Sequence, residues 1–578
     1  MFKPFTWLVV LLACNGCFSQ QTAPPAIQLN QEGFYTGAAK IAIVTGDVAA
    51  KEFSVIAVTG NDTVFKGSLG PPQRSSFSSV VTKLADLSAL KQPGRYVVFV
   101  PGVGRSHPFA VDDQVHHRVA VASLKGFYFI RSNVSLEEQY AGKWKRGSGH
   151  PDTLVYVHAS AADARRPAGS TISSAGGWYD AGDYNKYIVN SGITMATLTG
   201  AYEDFTTYFD QLKTGIPSHA GLPDVLTEIV YNLRWMLTMQ DPADGGVYHK
   251  CTNANFDGMV MPGATKDKRY VVQKSTAAAL NLAAVTAQAA RVLRRYNKEL
   301  PGLADSCLRA SALAWKWAVA NPAVVYSQRT INAAFDPDIS TGEYGDRSFS
   351  DEWLWAAAEL FAATKSKVYY DTVAARIKDG VSVPSWNTVG LLGYYTFIRH
   401  QQQLPSYASG VVKQMKDTIL KMADGMMSKM PANAFRTVMG QSRRDFIWGS
   451  NAVAANQGML LVMAYLISKN TTYLNGALSN LDYILGRNAT GYCFVTGIGT
   501  RSPMHPHHRP SEADGIAEPV PGLLAGGPNP ARQDGCNYHY TEAETAYVDD
   551  VCSYASNEIA INWNAPLVYL ANALEALL

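Results

Sequence analysis

The chain has 578 residues, 47% of them hydrophobic, which is enough for more than one domain, since single cores rarely grow past about 250 to 300 residues. Its 50 basic and 47 acidic residues are spread without long runs, so nothing marks a nucleic-acid or anionic-membrane partner, and a neutral one fits better. The 30 Tyr and 11 Trp offer flat apolar faces of the kind that hold sugar rings.

In chain order, residues 1–19 read as an export signal: Lys3, then the apolar run Phe5 to Ala13, too short to span a bilayer, then small and polar residues. The mature protein is expected outside the cytoplasm, secreted or at the periplasmic or outer-membrane surface of a bacterium. Two processing routes stay open. "LLAC" resembles a bacterial lipobox that would lipidate Cys14, whereas "CFSQQ" suits ordinary cleavage after Ser19. No later stretch reads as a membrane span, so any attachment is expected through that lipid.

Residues 27–113 hold short β-branched or alternating runs, "KIAIV", "FSVIAV", "SSVVTKL" and "RYVVFV", separated by turn clusters such as "TGND" and "GPPQRS"; they predict a small β-sandwich of immunoglobulin size. From residue 117 to 578 the pattern turns helical. The segment 224–240 sets Val225, Ile229, Val230, Leu233, Met236 and Leu237 on one stripe, and further helices are predicted at 275–296, 350–366, 451–468 and 565–578. Helices rich in Ala and joined by long loops suit a ring of helix pairs better than a simple bundle, and loops that long usually carry function. The cysteines beyond the leader, Cys251, Cys307, Cys493, Cys536 and Cys552, are odd in number and widely spaced, and predict neither a disulfide framework nor a metal site.

Three loops carry the chemistry. "GGWYDAGDYNKYIVN" (176–190) sets Asp180 and Asp183 three apart behind a glycine pair and among aromatic rings. A D-x-x-D is often just a cap and a turn, but capping needs neither the glycines nor the rings. The apolar run from Tyr187 predicts a helix whose N-terminus could favour an ionised Asp183. "GTRSPMHPHHRPSEADG" (499–515) gathers His505, His507, His508 and Arg509 among prolines. A metal cluster would set acid or thiol partners at fixed spacing, and the nearest acids here are Glu512 and Asp514; the loop better suits holding a carboxylate or sugar hydroxyls, with a purely structural proline loop as the other reading. In "YVDDVCSYASNEIAINWNAPLVYL" (547–570), Glu558 lies beside Ile559, Ile561 and Trp563. Desolvation there raises a carboxyl's pKa, as a general acid requires, although standing alone Glu558 also reads as an exposed glutamate in the first turn of a helix.

Together these motifs resemble glycoside hydrolase family 9, the inverting endoglucanases, in the subgroup with an N-terminal immunoglobulin-like domain. "GGWYDAGDYNKY" is similar to the family's aspartate-pair motif. The glutamate signature is met at Tyr547, Asp549, Tyr554, Glu558, Ala560, Asn564 and Ala565. The histidine signature is met from Val495 through Gly499, Arg501, Pro506, His507 and Arg509, departing only at Cys493, where Ser, Thr or Val is usual. "IQLNQEGFYTGAAKIAIV" (27–44) is similar to the opening of the accessory domain.

The resemblance implies a mainly α fold, an (α/α)6 six-hairpin barrel preceded by a small immunoglobulin-like β-sandwich, and cleavage of internal β-1,4-glucosidic bonds in cellulose or related β-glucans. It assigns Asp183 as base, Asp180 as its partner in holding water, Glu558 as acid and Asp549 as a supporting carboxylate. His507 and Arg509 correspond to the substrate-binding pair, and Trp178, Trp448 and Trp563 fall where sugar platforms are placed. No cofactor is expected for the chemistry. A structural calcium is implied at Asp351 and Glu352 in "RSFSDEWLW", with Asn387 standing where a further aspartate is usual. Zinc, carried by some relatives, is not expected, because "RSN" at 131 and "GSGHPD" at 147 contain no cysteine. The chain is expected to act as a monomer. Two alternatives remain: an exo-acting β-glucosidase or glucosaminidase with the same machinery, and a surface protein that binds glycan without cutting it.

Overall fold

A computed structural model describes residues 23–219 and 221–578, so the export segment and its two processing routes lie outside the described residues. The N-terminal part is a two-sheet sandwich. One sheet runs, in spatial order, Ile27–Gln28, Ile41–Thr45, Val81–Asp86, Gln73–Arg74; the other runs Gly33–Phe34, Phe109–Val111, Gly94–Val100, Glu52–Ala57, Thr63–Ser68. The pairing is antiparallel except between Gly33–Phe34 and Phe109–Val111. Alternate residues turn inward as strand geometry requires, and Phe34, Val44, Phe53, Val55, Val98 and Phe109 fill the space between the sheets. The strand Thr63–Ser68 was not among the sequence runs, because it lies largely in solvent and carries no apolar alternation.

Among the described residues, twelve helices of ten or more residues follow. Six form an inner ring: Ile188–Asp204, Thr276–Leu293, Ser350–Thr364, Gly390–Arg399, Ser450–Ser468 and Ile561–Leu577. Each packs on an outer helix: respectively Asp224–Thr238, Leu303–Ala320, Lys367–Arg376, Ser409–Lys429, Thr472–Ile484 and His117–Phe129. That is the six-hairpin (α/α)6 arrangement. Inner helices touch neighbours on every side, so they are buried nearly all round, and Ala at contacts such as those of Thr276–Leu293 lets the axes approach. This explains why Ser450–Ser468 is long and apolar enough to cross a membrane by composition, against the expectation that no such stretch exists: it is an inner barrel helix, mostly buried. The outer helix Asp224–Thr238 buries Val225, Ile229, Val230, Leu233 and Met236 of the predicted stripe and leaves Leu237 half-buried.

Two expectations fail. The first helix after the aspartates begins at Ile188, with a short strand, Lys186–Tyr187, before it, so Asp183 is not at a helix N-terminus. Cys536 and Cys552 form a disulfide, against the reading that the cysteines make no such bond; spacing conceals it because the fold brings two loop segments together.

The sandwich is fixed to the barrel by buried polar contacts. Asn30 Nδ2 donates to Asp482 Oδ1 at 2.8 Å, Tyr35 OH to Glu575 Oε1 at 2.6 Å, and Gln31 Oε1 accepts from the backbone N–H groups of Thr500 and Arg501, both at 2.8 Å. That last pair anchors the start of the histidine loop.

Candidate active site

The aspartate loop lies beside a small five-stranded sheet inserted in the barrel, with the spatial order Thr171–Ile172, Val155–Val157, Arg269–Val271, Lys250–Asn253, Lys186–Tyr187. Its register pairs Tyr187 with Lys250 and Asn253 with Arg269. Asp183 Oδ2 accepts from Asn185 Nδ2 at 2.6 Å, Tyr187 OH at 3.1 Å and the Asn185 backbone N–H at 3.3 Å. Asp183 Oδ1 accepts no protein hydrogen bond and is not among the buried unpaired atoms, so it opens on solvent.

Asp180 is more enclosed. Its Oδ1 accepts from Asn190 Nδ2 and its Oδ2 from Tyr344 OH, both at 2.7 Å. Burial first, then the charge of Asp183, pushes its carboxyl up to about 8.

Gly182, between the two aspartates, is where the loops meet. Its carbonyl accepts from Arg509 Nη1 at 2.7 Å and from the Arg509 backbone N–H at 3.2 Å, and its own N–H donates to Glu558 Oε1 at 3.3 Å. A Cβ at 182 would lie 2.1 Å from the His507 carbonyl oxygen, so only glycine permits this approach.

Glu558 follows the short helix Tyr554–Asn557 and pairs with His507 in an isolated parallel bridge. Desolvation, then the charges of Asp183 and Asp180, hold its carboxyl well above the usual range. No hydrogen bond joins it to either aspartate among the described residues. His507 Nδ1 lies 2.6 Å from the Val551 carbonyl, which only accepts, so Nδ1 carries the proton; burial lowers the ring's pKa, leaving Nε2 as an acceptor.

Several expected site residues have other duties. The Arg509 guanidinium is buried, with Nε and Nη2 on the Asp257 carbonyl at 2.9 and 2.8 Å, so it clamps two loops together instead of reaching freely into the cleft. Asp549 accepts from the backbone N–H groups of Met504 and His505 and from Asn557 Nδ2, tying the histidine loop to the glutamate loop. Trp178 is fully buried, its Nε1 donating to Glu228 Oε2 at 3.2 Å, and Trp563 is packed under Gly449 and Gly526. Neither offers a sugar platform, because the close loop packing that builds the cleft covers their faces. Trp448 is open instead: it is 41% exposed and lies against Tyr554, ring centroids 5.3 Å apart. Trp386, which no motif marked, packs edge-on at 5.3 Å against Tyr344. Tyr344 and Lys250 also escaped the sequence reading, being distant in sequence from every motif, whereas Asn185 and Tyr187 stand inside the quoted aspartate stretch.

At the predicted calcium position, Asp351 Oδ2 accepts from the Val389 backbone N–H at 2.7 Å. Both Glu352 oxygens and Asp346 Oδ2 are buried without a hydrogen-bond partner, and desolvation followed by the neighbouring acids raises the Glu352 pKa strongly. Asn387 is exposed, its Oδ1 taken by Ser385 Oγ at 2.6 Å. No three His, Cys, Asp or Glu side chains form a ready metal cluster among the described residues.

Residues 116–571 match the family model for glycosyl hydrolase family 9, and residues 22–105 match that of the cellulase N-terminal ig-like domain. The chain is 44% identical to a xyloglucan-specific endo-beta-1,4-glucanase of Bacteroides ovatus, over 96% of this chain and 94% of that one. It is 33% identical to endoglucanase D of Acetivibrio thermocellus, over 94% of this chain and 82% of that one. Among solved structures, a Bacteroides ovatus GH9 protein superposes with a TM-score of 0.91 at 44% identity, covering 96% of this chain and 99% of that one. A thermostable endoglucanase from Alicyclobacillus acidocaldarius superposes at 0.84 with 30% identity, covering 96% and 100%. With its two-sheet sandwich, its six-hairpin barrel and three separate acids gathered around Gly182, this chain belongs to glycoside hydrolase family 9.

Proposed function

We propose that this protein is an exported, inverting endo-β-1,4-glucanase acting on branched β-glucan of the xyloglucan type, with Glu558 as general acid and Asp183 as general base. The carrying observation is Gly182, whose N–H holds Glu558 Oε1 while the next residue presents Asp183 Oδ1 to solvent. Inversion needs a protonated carboxyl at the leaving oxygen and an ionised one across the ring, about 6.5 to 9.5 Å apart with water between. Glu558 gives its proton to the glycosidic oxygen as the anomeric C–O bond breaks. Asp183 Oδ1 takes a proton from the water whose oxygen bonds to the anomeric carbon from the opposite face. Asp180 keeps Asp183 company as a carboxyl held above the usual range, which limits the charge Glu558 must face. His507 Nε2 accepts a hydrogen bond from a sugar hydroxyl, and Trp448 supplies a stacking face.

The substrate class follows the 44% identical relative, whose name specifies xyloglucan. The exposed apolar side chains Phe256, Met259 and Val260, on the loop that Arg509 clamps, suit the bulkier surface of a branched chain better than a bare glucan ribbon. Turnover on a panel of soluble β-glucans, with product anomers followed by NMR, tests both parts. The expected outcome is xyloglucan fragments released with inverted configuration; retained configuration overturns the mechanism, and cellulose preferred over xyloglucan overturns the substrate assignment.

The unpaired oxygens of Glu352 and Asp346 beside Asp351 fit a hard cation, and calcium would draw its remaining ligands from backbone carbonyls and water. Such an ion would brace the segment that follows Tyr344, and so the donor to Asp180. Its contribution is structural and enters no step of the reaction.

A further inference from the structure

The assignment of Asp183 as base, on which the following rests, leaves open what keeps its two oxygens in different roles. A carboxylate can rotate or exchange its partners, and a base that offered either oxygen to either neighbour would spend part of its time misaligned with the water. The donors to Oδ2 are themselves constrained from behind. Asn185 Oδ1 accepts from Asn253 N at 2.9 Å, Thr252 Oγ1 at 3.0 Å and Arg269 Nη1 at 3.1 Å. With its oxygen so occupied, the Asn185 amide can only turn its Nδ2 toward Asp183. Arg269 is in turn seated by Asp152, whose Oδ1 accepts from Arg269 Nε at 3.1 Å.

The second donor is controlled the same way. Tyr187 OH accepts from the Gly342 backbone N–H at 3.0 Å, so its own proton points to Asp183 Oδ2. Gly342 is held by Lys250, a fully buried side chain whose Nζ reaches the Gly342 carbonyl at 2.7 Å, Gln328 Oε1 at 2.8 Å and Thr341 Oγ1 at 2.9 Å, and lies 5.5 Å from the centre of the Tyr187 ring; burial lowers its pKa to about 7. A buried ammonium or guanidinium costs several kcal/mol unless ion pairs and hydrogen bonds offset it, and these contacts supply that offset.

We propose that Arg269 and Lys250 are positioning residues for the hydrolysis: each fixes the direction of one hydrogen bond to Asp183 Oδ2, so that Oδ1 alone is left to the attacking water. Neither touches substrate. Arg269 acts through Asn185, and Lys250 acts through Gly342 and Tyr187. The other charged or titratable groups facing Asp183 are Asp180 on its own loop, Glu558 and His507 from the two C-terminal loops, Arg509 on the Gly182 carbonyl, and Tyr344 bonded to Asp180. None of these donates to Oδ2.

The test compares the full-length protein with its Lys250→Met, Arg269→Lys and Tyr187→Phe variants, measuring kcat, KM and the pH dependence of kcat/KM on soluble xyloglucan. Losing a donor to Oδ2 disfavours the ionised base, so the acidic limb is expected to move up by about one pH unit. kcat is expected to fall about 10- to 100-fold with KM within about twofold, the signature of misplacement rather than lost binding. Because Lys250 acts through Tyr187, the double variant is expected to show no larger limb shift than Tyr187→Phe alone. Should Lys250→Met fail to fold, Tyr187→Phe, which removes one oxygen, and Arg269→Lys decide the matter. An unmoved acidic limb in the folded variants overturns the proposal. If Asp183→Asn is inactive while those limbs stay put, only this inference fails; if Asp183→Asn keeps turnover, the base assignment fails first.

Discussion

The two walls of the site are built on different principles. On the aspartate side, a five-stranded sheet supplies short connections, buried basic side chains and several hydrogen bonds; Asp183 Oδ2 alone accepts three. On the glutamate side, Glu558 sits between a four-residue helix and the last barrel helix, on loop backbone, with one 3.3 Å hydrogen bond to its carboxyl. Saturating an oxygen with donors favours its charge, and starving one of donors in a dry place favours its proton. Under the proposed mechanism the two carboxyls take opposite duties from two environments that meet at Gly182, and the acid needs less scaffolding than the base.

The largest effects should come from breaking each wall at its carboxyl. Glu558→Gln is expected to lower kcat on xyloglucan about 1,000-fold or more, yet to spare hydrolysis of a dinitrophenyl cello-oligosaccharide, whose leaving group needs no proton. Asp183→Asn should lose both substrates alike, because water activation is common to both. Equal losses in the two variants would show that the walls do not divide the labour.

Next in size is a stability effect on the aspartate wall. Asp180 is held near 8 in the folded protein, against about 3.9 for a free aspartate. The native state therefore binds more protons than the unfolded chain over that interval, and stability falls as pH rises from about 4 through about 8. Asp180→Asn, which cannot ionise, is expected to melt a few degrees above the parent at pH 7, the gap closing toward pH 4, even as activity drops. A variant that melts lower at both pH values would contradict the burial of an uncompensated charge there.

Calcium sharpens the same contrast, since it would brace Tyr344 on the aspartate side only. Chelation is expected to lower the melting temperature by several degrees, and Glu352→Ala should abolish the response to added calcium. The smallest effect is expected on the glutamate side's rim, where Trp448→Ala should raise KM about tenfold and leave kcat within about twofold, a stacking loss. A change in kcat instead would place Trp448 in the chemistry.

Much of this was legible along the chain. The runs "KIAIV", "FSVIAV" and "RYVVFV" became strands, and the helical segments that were named match to within a few residues at most ends, because burial on one face or all round leaves a period in the residue order; helices such as Leu303–Ala320 and Ser409–Lys429 were not named. The acids Asp180, Asp183 and Glu558 were marked by their neighbours. The tryptophans were not resolved: Trp178, Trp448 and Trp563 look equivalent in sequence, and only packing shows that two are covered and one is open. Arg509 reads as a ligand for sugar and turns out to grip backbone carbonyls.

The amino-acid order by itself determined the division into a sandwich and a helical ring, and marked Asp180, Asp183 and Glu558 as candidate acids, since periodicity and local motifs are properties of neighbours in the chain. Tertiary structure alone decided which oxygen of Asp183 is free, that Tyr344 bonds Asp180 and Lys250 bonds Gly342, and that Cys536 meets Cys552. Those facts depend on contacts between residues tens to hundreds of positions apart, and hydrogen-bond direction and solvent exclusion exist only once such segments have come together.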